Sequence, residues 1–483
     1  MRTDLLIIGG GFAGSILAMV ARRLGLSVAL VERGRHPRFA IGESSTPAGN
    51  MILDSLGRQY NLPGLVALAR YGTWKDLHPD VTIGPKRGFT YFAHEPGVTW
   101  QSKAGHENEL FVAASNDARR CDTHWLRADV DEWLFRRAGE LGVRLIEGTE
   151  VEKLVRSASG GWSASLKTTV LGAAGGAALA AGSRTIEAAL IVDATGNGNF
   201  AARHLGVAAG PPMKNRTAAT FAHLDDLPAW QEFAQPDDCD YPIPADHAAQ
   251  HHVTARGWMW QLRFDTGRTS VGIVTPGSQA ADPQEWMSHY PSLQGQFASV
   301  GRRPPVNGWF STGPLQRRVA HAGGKGWALM PQAAGFVDPL HSTGIAHSLA
   351  GVERVAGVLA TGDSDFADHG RLTLAELDHL DTLVAACYKA PDFERFGIAT
   401  MGYFAATIRY ERARVEGANA PFTEAFLGAD QNDVVAMGRG SLINVSGSDY
   451  RAWMTRAVAP WNDAGLLAPD VPNMYPHTAP KNW

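Results

Sequence analysis

The stretch DLLIIGGGFAG at residues 4–14 limits what this chain can fold into more than any other. Residues 5–8 form a short apolar run of the kind that fills a parallel strand buried on both faces. Gly9, Gly11 and Gly14 follow with the spacing G-x-G-x-x-G. The first glycine permits a tight turn, the second lets backbone N–H groups approach a pyrophosphate, and the third lets the next helix pack on the strand.

A helix and a second strand complete this unit. The helix is expected from Phe12 to Leu24 with Gly25 as its stop, and the strand at residues 27–31 ends at Glu32. A carboxylate at this distance can accept a hydrogen bond from a ribose hydroxyl. The glycine spacing alone is not specific, but within a strand–turn–helix–strand–Glu unit it predicts a dinucleotide site. Up to this point, the residues leave FAD and NAD equally open.

Two later stretches repeat the passage from an apolar strand to a turn of small residues. ALIVDATG at residues 189–196 would place Asp193 and Gly196 at the carboxyl edge of a sheet, where ligands bind in open α/β folds. Another apolar strand leads to DPLHSTG at residues 338–344, where Gly344 opens a helix. The free N–H groups of that helix would suit a flavin carbonyl or a small anion.

Composition and cysteine usage narrow the class of protein. Lys and Arg number 44 against 48 Asp and Glu, so nothing points to nucleic acid or an anionic membrane as a partner. We expect no integral membrane segment, and no signal peptide because the first strand follows Met1 so closely. Cys121, Cys239 and Cys387 form no CxxC pair, which indicates neither disulfides nor a metal site and favours a cytoplasmic location.

One histidine cluster raises the question of a metal. His247, His251 and His252 lie close together in the sequence, but the surrounding stretch is polar and offers no acidic partner. We therefore expect solvated loop histidines and no metal site.

Two tryptophans lie in the apolar stretch GWMWQL at residues 257–262. Trp258 and Trp260 are two residues apart, so on a strand they project to the same face. From the residues alone they are either core packing or a rigid aromatic wall beside a ligand.

Four motifs, taken together, are similar to those of one family. GESSTP at residues 42–47 is similar to that family's G-E-[SA]-x-x-P, and PKRG at 85–88 resembles the segment that holds its lysine. WMWQL at 258–262 matches W-x-W-x-[IL], and GFVDPLHSTG at 335–344 is close to its flavin turn. Through these motifs the chain resembles the flavin-dependent halogenases of the FAD-dependent aromatic-hydroxylase superfamily, over roughly residues 1–360.

The resemblance implies a reaction. In that family, reduced FAD supplied by a separate flavin reductase and oxygen oxidise chloride or bromide to hypohalous acid, which travels through a tunnel to a lysine beside the substrate. Lys86 matches that lysine and would donate a hydrogen bond to hypohalous acid or form a haloamine. The halide would lie against backbone N–H groups of Thr343 and Gly344. Trp258 and Trp260 would line the space between the flavin and the tunnel.

The resemblance also implies residue roles where the chain departs from the family. His341 replaces a glutamate found in tryptophan-specific members and is predicted as a catalytic base, with a packed residue as the alternative. Because phenol- and pyrrole-type members also lack that glutamate, we expect a phenolic or other electron-rich aromatic substrate, free or tethered to a carrier protein. Gln332 replaces an aspartate and would contact the ribityl chain. The residues predicted to bind FAD are Gly9, Gly11, Phe12, Ala13, Gly14, Glu32, Arg33, Ser44, Ser45, Arg127, Val151, Asp193, Gly196, Gln332, Pro339, Gly344 and Ile345.

The order of segments predicts an α/β fold, α+β overall, with three parts. These are a Rossmann-like FAD-binding domain in three pieces, a mixed second sheet that forms the substrate domain, and a helical C-terminal subdomain. Alternation of apolar and polar residues from Trp74 to Trp100 indicates antiparallel strands of the second sheet. The predicted boundaries are 1–75, 115–215 and 310–360 for the first part, 76–114 and 216–309 for the second, and 361–483 for the third.

Two other functions remain open from the sequence. An FAD-dependent aromatic monooxygenase or a geranylgeranyl-reductase-like oxidoreductase would share the cofactor site, but it would need neither Lys86 nor halide. A catalytically inactive flavoprotein that acts as a binding partner or redox sensor is the third interpretation.

Overall fold

A computed structural model gives the architecture of residues 1–157, 160–168, 184–196, 199–234, 241–298, 305–417, 422–468 and 473–480. The strands are β1 (Arg2–Ile8), β2 (Val28–Val31), β3 (Ile83–Lys86), β4 (Gly88–His94), β5 (Glu109–Ala113), β6 (Asp122–Trp125), β7 (Arg144–Ile146), β8 (Thr149–Arg156), β9 (Trp162–Thr168), β10 (Arg184–Asp193), β11 (Thr217–Asp225), β12 (Ala249–Thr254), β13 (Gly257–Arg263), β14 (Arg268–Pro276), β15 (Phe310–Thr312), β16 (Arg317–Arg318), β17 (Gly323–Gly324), β18 (Trp327–Leu329), β19 (Gly335–Phe336) and β20 (Met474–Tyr475).

The helices connect these strands and dominate the last third of the chain. They are α1 (Phe12–Arg23), α2 (Pro47–Gln59), α3 (Pro63–Leu68), α4 (Tyr71–Leu77), α5 (Arg127–Glu140), α6 (Asn199–Leu205), α7 (Gln231–Ala234), α8 (Pro283–Ser288), α9 (Pro291–Ala298), α10 (Pro331–Ala334), α11 (Thr343–Ala360), α12 (Ala367–Lys389), α13 (Phe393–Glu416), α14 (Asn432–Asn444) and α15 (Tyr450–Val458). None of the helices in the described ranges combines the length and apolar character that crossing a membrane requires.

The first sheet is built around the amino-terminal strand. β1 pairs in parallel with β10 on one side and with β2 on the other, and β18 and β7 extend the parallel arrangement outwards. Leu5, Leu6 and Ile7 are completely buried, as expected for a central strand covered on both faces. α1 follows β1 and packs against α5 and α11. The predicted Rossmann-like arrangement is therefore confirmed.

The second sheet has the order β15-β11-β14-β13-β12-β4-β5-β20. Its ladders are antiparallel except for β12 with β4 and β20 with β5, which confirms the predicted mixed sheet. A separate two-stranded ladder, β3 with β6, places Lys86 directly opposite Asp122. The domain boundaries themselves stay a prediction.

The predicted start of the antiparallel strands, at Trp74, is wrong. Trp74 lies in helix α4 rather than in a strand, and the first strand of this region begins at Ile83. The Trp74 ring is completely buried and packs edge-on against Trp133, with ring centroids 4.7 Å apart. Burial of this large ring between helices outweighs the local alternation of apolar and polar residues, because tertiary packing can override a weak strand preference.

The C-terminal region is helical, as predicted, except for the short strand β20. A buried carboxylate ties its helices together. Both oxygens of Glu376 in α12 accept hydrogen bonds from the Arg354 guanidinium, at 2.5 and 2.7 Å. His347 Nε2 lies 3.0 Å from the same carboxylate, and the Phe426 backbone N–H donates to it at 2.8 Å. Burial would raise the pKa of Glu376, but Arg354 and His347 outweigh burial and hold the pKa at about 2.

Replacing Glu376 with glutamine should lower the free energy of unfolding by about 3–5 kcal/mol, because the buried Arg354 charge loses its partner. The folded-state pKa lies below the ordinary 4.5, so this stabilisation is complete above pH 4.5 and is lost as the pH falls towards 2. Urea unfolding of parent and variant between pH 7 and pH 3 measures the difference.

The matched control is Glu394→Gln, which removes an exposed ion pair with Arg451. That change should cost less than about 1 kcal/mol. A Glu376 variant no less stable than this control at pH 7 would contradict the prediction.

Candidate active site

The turn between β1 and α1 needs glycine for steric reasons. Gly9 has a φ of +107°, and a Cβ there would come within 2.4 Å of the Ala194 carbonyl oxygen. A Cβ on Gly14 would come within 2.0 Å of the Gly9 carbonyl oxygen. Contacts this short force the backbone apart, so the close approach of β1, α1 and the end of β10 depends on these two residues.

Glu32, at the end of β2, shapes the same turn. Its carboxylate accepts hydrogen bonds from the Gly10 N–H at 2.9 Å and from the Gly34 N–H at 2.8 Å. The Arg38 guanidinium lies 3.6 Å away. Glu32 therefore orders the backbone on both sides of the dinucleotide turn, and its predicted contact to a ribose stays a prediction.

A cavity of about 830 Å³ opens at this turn, within the size range of small-molecule sites. Five residues predicted for the site do not line it, namely Gly14, Ser45, Asp193, Lys86 and His341. The predicted residues that do line it are Gly9, Gly11, Phe12, Ala13, Glu32, Arg33, Ser44, Arg127, Val151, Gly196, Trp258, Trp260, Gln332, Pro339, Thr343, Gly344 and Ile345.

Polar atoms in the cavity wall suit a ligand rich in hydroxyl and phosphate groups. Ser44 Oγ and Glu43 Oε2 are buried and have no hydrogen-bond partner within the described ranges, although both residues line the cavity. The Arg127 guanidinium reaches the same wall, held by Asp131 at 2.7 and 3.0 Å and by the Gly42 carbonyl at 2.9 Å. Because buried polar atoms are normally hydrogen-bonded, this wall fits a dinucleotide.

The N-terminus of α11 forms the opposite wall. Ser342, the residue before the helix, has a left-handed backbone conformation with a φ of +54°. Thr343 and Gly344 follow as the first helical residues, so their N–H groups have no acceptor within the helix. Gln332 Nε2 lies 3.5 Å from the Gly344 carbonyl oxygen. This geometry is suited to a flavin carbonyl or a halide.

Arg317 and Asp193 hold the backbone behind the cavity. Arg317 donates hydrogen bonds to the carbonyl oxygens of Gln332, at 2.8 Å, and Gly196. Asp193 accepts from the Thr195 N–H at 2.9 Å, and burial raises the pKa of Asp193 to about 6. The sequence analysis missed Arg317, because no local signal relates it to Gln332 and Gly196, which lie 15 and 121 residues away in the chain.

The two tryptophans of β13 line the cavity side by side. Their ring centroids are 6.0 Å apart. Trp260 lies opposite Gly272 on β14, where a Cβ would come within 2.1 Å of the indole ring. The Trp258 indole N–H donates to the Tyr388 hydroxyl at 2.8 Å. The aromatic wall predicted from the sequence therefore borders the cavity, and a helix of the C-terminal region anchors it.

Tyr388 connects this wall to the flavin turn. Its hydroxyl donates to the buried Asp338 carboxylate, at 3.1 and 3.2 Å from the two oxygens. Asp338 also accepts from the Thr217 hydroxyl at 3.1 Å and from the Leu340 N–H at 3.1 Å. Burial raises the pKa of Asp338 to about 7. The sequence analysis missed Tyr388, which lies in an ordinary helical pattern far from every motif.

Lys86 is completely buried at the end of β3 and does not reach the cavity. Its Nζ donates to the Ser45 carbonyl oxygen at 2.5 Å and lies 3.7 Å from the centroid of the Phe89 ring. Burial lowers the pKa of Lys86, whereas the Asp122 and Glu411 carboxyl groups favour its charged form.

An aromatic layer lies between the cavity and Lys86. His251 lines the cavity, and its ring centroid is 5.3 Å from Trp258 and 6.0 Å from Phe89. Phe89 is the ring against which Lys86 Nζ packs. Two rings, those of His251 and Phe89, therefore separate Trp258 from the Lys86 ammonium.

His341 is buried among the aromatic rings of Tyr91, Tyr403 and Phe404. Its Nδ1 is 3.1 Å from the Tyr91 hydroxyl, and its Nε2 is 3.5 Å from Cys387 Sγ. The Tyr403 ring stacks on it at 4.1 Å. Burial holds the pKa of His341 well below its ordinary value, so the ring is neutral. Its role as a base stays a prediction.

The prediction of solvated histidines at 247–252 is wrong for two of the three. His251 and His252 lie on β12 and are buried, because β12 is a central strand between β4 and β13. His252 Nδ1 lies 3.1 Å from His94 Nε2. Burial lowers the pKa of His251 to about 3. Within the described ranges, no group of three or more His, Cys, Asp or Glu side chains could hold a metal ion.

The fold and the cavity define a class. A parallel sheet, a glycine turn with a carboxylate after the second strand, and a polar cavity at that turn are the features of a dinucleotide-binding protein. Residues 4–337 match the model of the family described as FAD dependent oxidoreductase. The chain belongs to this family, is an FAD-dependent oxidoreductase, and uses FAD as its cofactor.

The relatives of this chain include several halogenases. Tetracycline 7-halogenase from Kitasatospora aureofaciens is 29% identical over 385 residues, which cover 75% of this chain and 65% of that protein. Monodechloroaminopyrrolnitrin halogenase PrnC from Pseudomonas fluorescens is 24% identical over 415 residues, which cover 80% of this chain and 68% of that protein. The chain thus spans about two thirds of the length of these relatives.

A solved structure supports the fold. Halogenase PltM in complex with phloroglucinol and FAD superposes with a TM-score of 0.84 at 20% identity, covering 96% of this chain and 98% of that one. The likeness extends through the C-terminal helices, beyond the range of the family match. The resemblance to flavin-dependent halogenases is confirmed.

Proposed function

We propose that this protein is a flavin-dependent halogenase that uses reduced FAD, oxygen and chloride or bromide to halogenate an electron-rich aromatic ring. The observation that carries the proposal is the position of Lys86. A completely buried lysine lies two aromatic rings behind the tryptophan wall of the FAD cavity. The names of the curated relatives support the same reaction class.

The halide would be oxidised in the cavity, and the halogen would be transferred to the substrate at Lys86. When bound, the reduced flavin would give two electrons to oxygen, which would take two more from the halide to yield hypohalous acid and water. The free N–H groups of Thr343 and Gly344 bind the halide at the positive end of α11. Trp258 and Trp260 keep the aromatic substrate away from the flavin. The Lys86 ammonium donates a hydrogen bond to hypohalous acid and directs its halogen to the ring, in a site where water does not compete.

We infer that the substrate is a phenol or a similarly activated aromatic compound, free or bound to a carrier protein. His341 is neutral, and its ring lies 3.1 Å from the Tyr91 hydroxyl. This neutral, hydrogen-bonding surrounding suits a phenolic substrate better than a cationic one. PltM was crystallised with phloroglucinol, itself a phenol. Another relative is a chlorinase of a pyrrole carried by a peptidyl-carrier protein. A separate flavin reductase would supply the reduced FAD in the cytoplasm.

The experiment is a product assay by mass spectrometry on a panel of phenols, indoles and pyrroles. Each reaction contains the FAD-loaded protein, a flavin reductase, NADH, oxygen and bromide or chloride, with halide-free reactions in parallel. We expect a mass increase for replacement of one hydrogen by halogen, only in the presence of halide. Hydroxylated product that forms equally without halide would move the protein to the monooxygenase function.

Changing Tyr388 to phenylalanine tests the anchoring of the tryptophan wall. The variant loses the hydrogen bonds from Trp258 and to Asp338, each of which contributes about 1 kcal/mol. We expect the yield of halogenated product per NADH consumed to fall by about 5- to 10-fold, with hydrogen peroxide released instead. Product and peroxide are measured in the same reaction.

Tyr71→Phe is the matched control, because the Tyr71 hydroxyl contacts Asp265 on the exposed surface. This variant should keep the parent ratio of product to peroxide. An unchanged ratio in Tyr388→Phe as well would show that the wall holds its position without this anchor.

A further inference from the structure

Lys86 is not a lone cation, because two buried carboxyl groups lie near enough to influence its ionisation. Asp122 is its direct neighbour across the antiparallel ladder of β3 and β6. Side chains opposite each other in such a ladder have Cβ atoms about 4.5–5.5 Å apart and share one face. Glu411 approaches the same point from helix α13, close enough that its ionisation is influenced by both Lys86 and Asp122. All three side chains are buried.

One short segment at the start of α2 contacts all three groups. The Ser45 carbonyl oxygen accepts from Lys86 Nζ at 2.5 Å. The Asn50 side-chain amide donates to the Asp122 carboxyl group at 2.7 Å, and the Ala48 backbone N–H donates to Glu411 at 3.1 Å. Ser44, the residue before this segment, lines the FAD cavity. The geometry therefore joins the lysine, both carboxyl groups and the cofactor wall through residues 44–50.

Charge balance decides how many of these groups are ionised. One ammonium with two carboxylates would leave a net negative charge in the interior, which is costly. A neutral cluster contains the ammonium, one carboxylate and one carboxylic acid. Burial, reinforced by the Asp122 charge, holds the pKa of Glu411 well above its ordinary value, which identifies Glu411 as the acid. Asp122, opposite Lys86 and hydrogen-bonded by the Asn50 amide, is then the carboxylate.

Of the other titratable groups near the cluster, three are neutral, and the Arg70 guanidinium is only half-buried and is also attracted by the Asp54 carboxylate. Burial lowers the pKa of His124 and His251 to about 3 and raises that of Cys121 to about 12, so all three are neutral across roughly pH 5 to 9. The groups that face Lys86 or Asp122 from the surrounding elements are Cys121 and His124 beside β6, His251 on β12, Glu411 on α13, and the Arg70 guanidinium on the Asp122 side.

We propose that Lys86, Asp122 and Glu411 form a buried triad in which Asp122 is the counter-ion that keeps Lys86 protonated and Glu411 is a neutral carboxylic acid. The inference rests on the proposed function for its catalytic meaning, since the ammonium is the form of Lys86 that donates to hypohalous acid. Asp122 is a positioning residue, because it acts through Lys86.

The triad predicts how two isosteric variants differ. Halogenation should fall as the pH rises through the pKa of Lys86, where the ammonium loses its proton. Asp122→Asn removes the attraction that favours the ammonium, so this fall should occur about 1–3 pH units lower. Glu411→Gln replaces one neutral group by another and should move the fall by less than about 0.3 pH unit. Asp122→Glu restores a negative charge and should bring the profile back towards that of the parent.

Two readouts on the FAD-loaded enzyme test the triad. The first is the pH profile of kcat/KM for halogenation. The second is an NMR titration of the ¹³Cε signal of Lys86, assigned by its loss in Lys86→Arg, which needs no turnover. Controls are Asp76→Asn and Glu416→Gln, two surface positions that should leave both readouts unchanged. Asn50→Ala provides a milder variant that should shift the Lys86 titration in the same direction as Asp122→Asn but by less.

The outcomes separate the triad from the proposed function. A lower Lys86 titration in Asp122→Asn and an unmoved one in Glu411→Gln support the triad, even if no halogenated product forms and the proposed function fails. A Lys86 titration that Asp122→Asn and Asn50→Ala leave unchanged overturns the triad. An equal shift in Glu411→Gln also overturns it, because Glu411 would then carry the charge.

Discussion

Lys86→Met should lower the rate of halogenation by about 100- to 1,000-fold, the usual cost of losing a hydrogen-bond donor at a reacting group. Methionine fills the volume of the lysine stem in its buried site against Phe89 without a charge or a donor. FAD content should match the parent, because Lys86 does not line the cofactor cavity. NADH consumption should continue, and hypohalous acid should escape without reaching the substrate. Product, NADH and free hypohalous acid are measured together.

The matched control is Lys75→Met, which removes a half-exposed lysine paired with Asp265 at 2.7 Å. It should halogenate like the parent. Lys86→Arg keeps a positive charge but replaces a compact ammonium by a planar guanidinium, and we expect it to recover little activity. Parent-like product from Lys86→Met would remove the lysine from the chemistry and would also weaken the case for a halogenase.

Gly14→Ala should reduce the affinity for FAD by at least about 100-fold. The added Cβ would come within 2.0 Å of the Gly9 carbonyl oxygen and 3.2 Å of the Ala194 Cβ. Helix α1 must then move away from β1, which opens the turn that approaches the pyrophosphate. Overpacking of this kind also costs about 1–3 kcal/mol of stability. Bound flavin is quantified by absorbance after gel filtration, and affinity by quenching of flavin fluorescence.

Gly357→Ala is the control for this change, because a Cβ there meets no atom within 4 Å, in the last turn of α11. Alanine favours helix over glycine by about 1 kcal/mol, so this variant should be neutral or slightly more stable. If Gly14→Ala retained parent affinity, the turn would be more compliant than its contacts indicate.

Local patterns predicted the parts of the protein that depend on contiguous residues. The strand, glycine turn, helix and second strand of residues 2–31 all follow each other within one short segment, so their hydrophobic period and turn chemistry specify them directly. The tryptophan strand and the turn before α11 are equally local. These features also carry the family resemblance, which explains why the class of enzyme could be predicted.

Features that depend on distant partners could not be predicted. The burial of His251 and His252 depends on the pairing of β12 with β4, more than 150 residues earlier in the chain. Tyr388 and Glu411 lie in helices whose sequences show only amphipathic packing. Their polar contacts reach Trp258 and Ala48, which lie 130 and 363 residues earlier in the chain. The two buried acidic neighbours of Lys86, Asp122 and Glu411, also come from other segments of the chain.

The short strand β20 has a consequence for biosynthesis. It pairs in parallel with β5, with Met474 opposite Phe111, and the Thr478 N–H donates to the Ala113 carbonyl oxygen at 2.9 Å. During translation, the edge strand β5 of the second sheet therefore stays unpaired until a segment some 360 residues later has been made. An open strand edge is prone to pair with other chains, so the nascent protein needs protection until residues 474–478 have emerged from the ribosome.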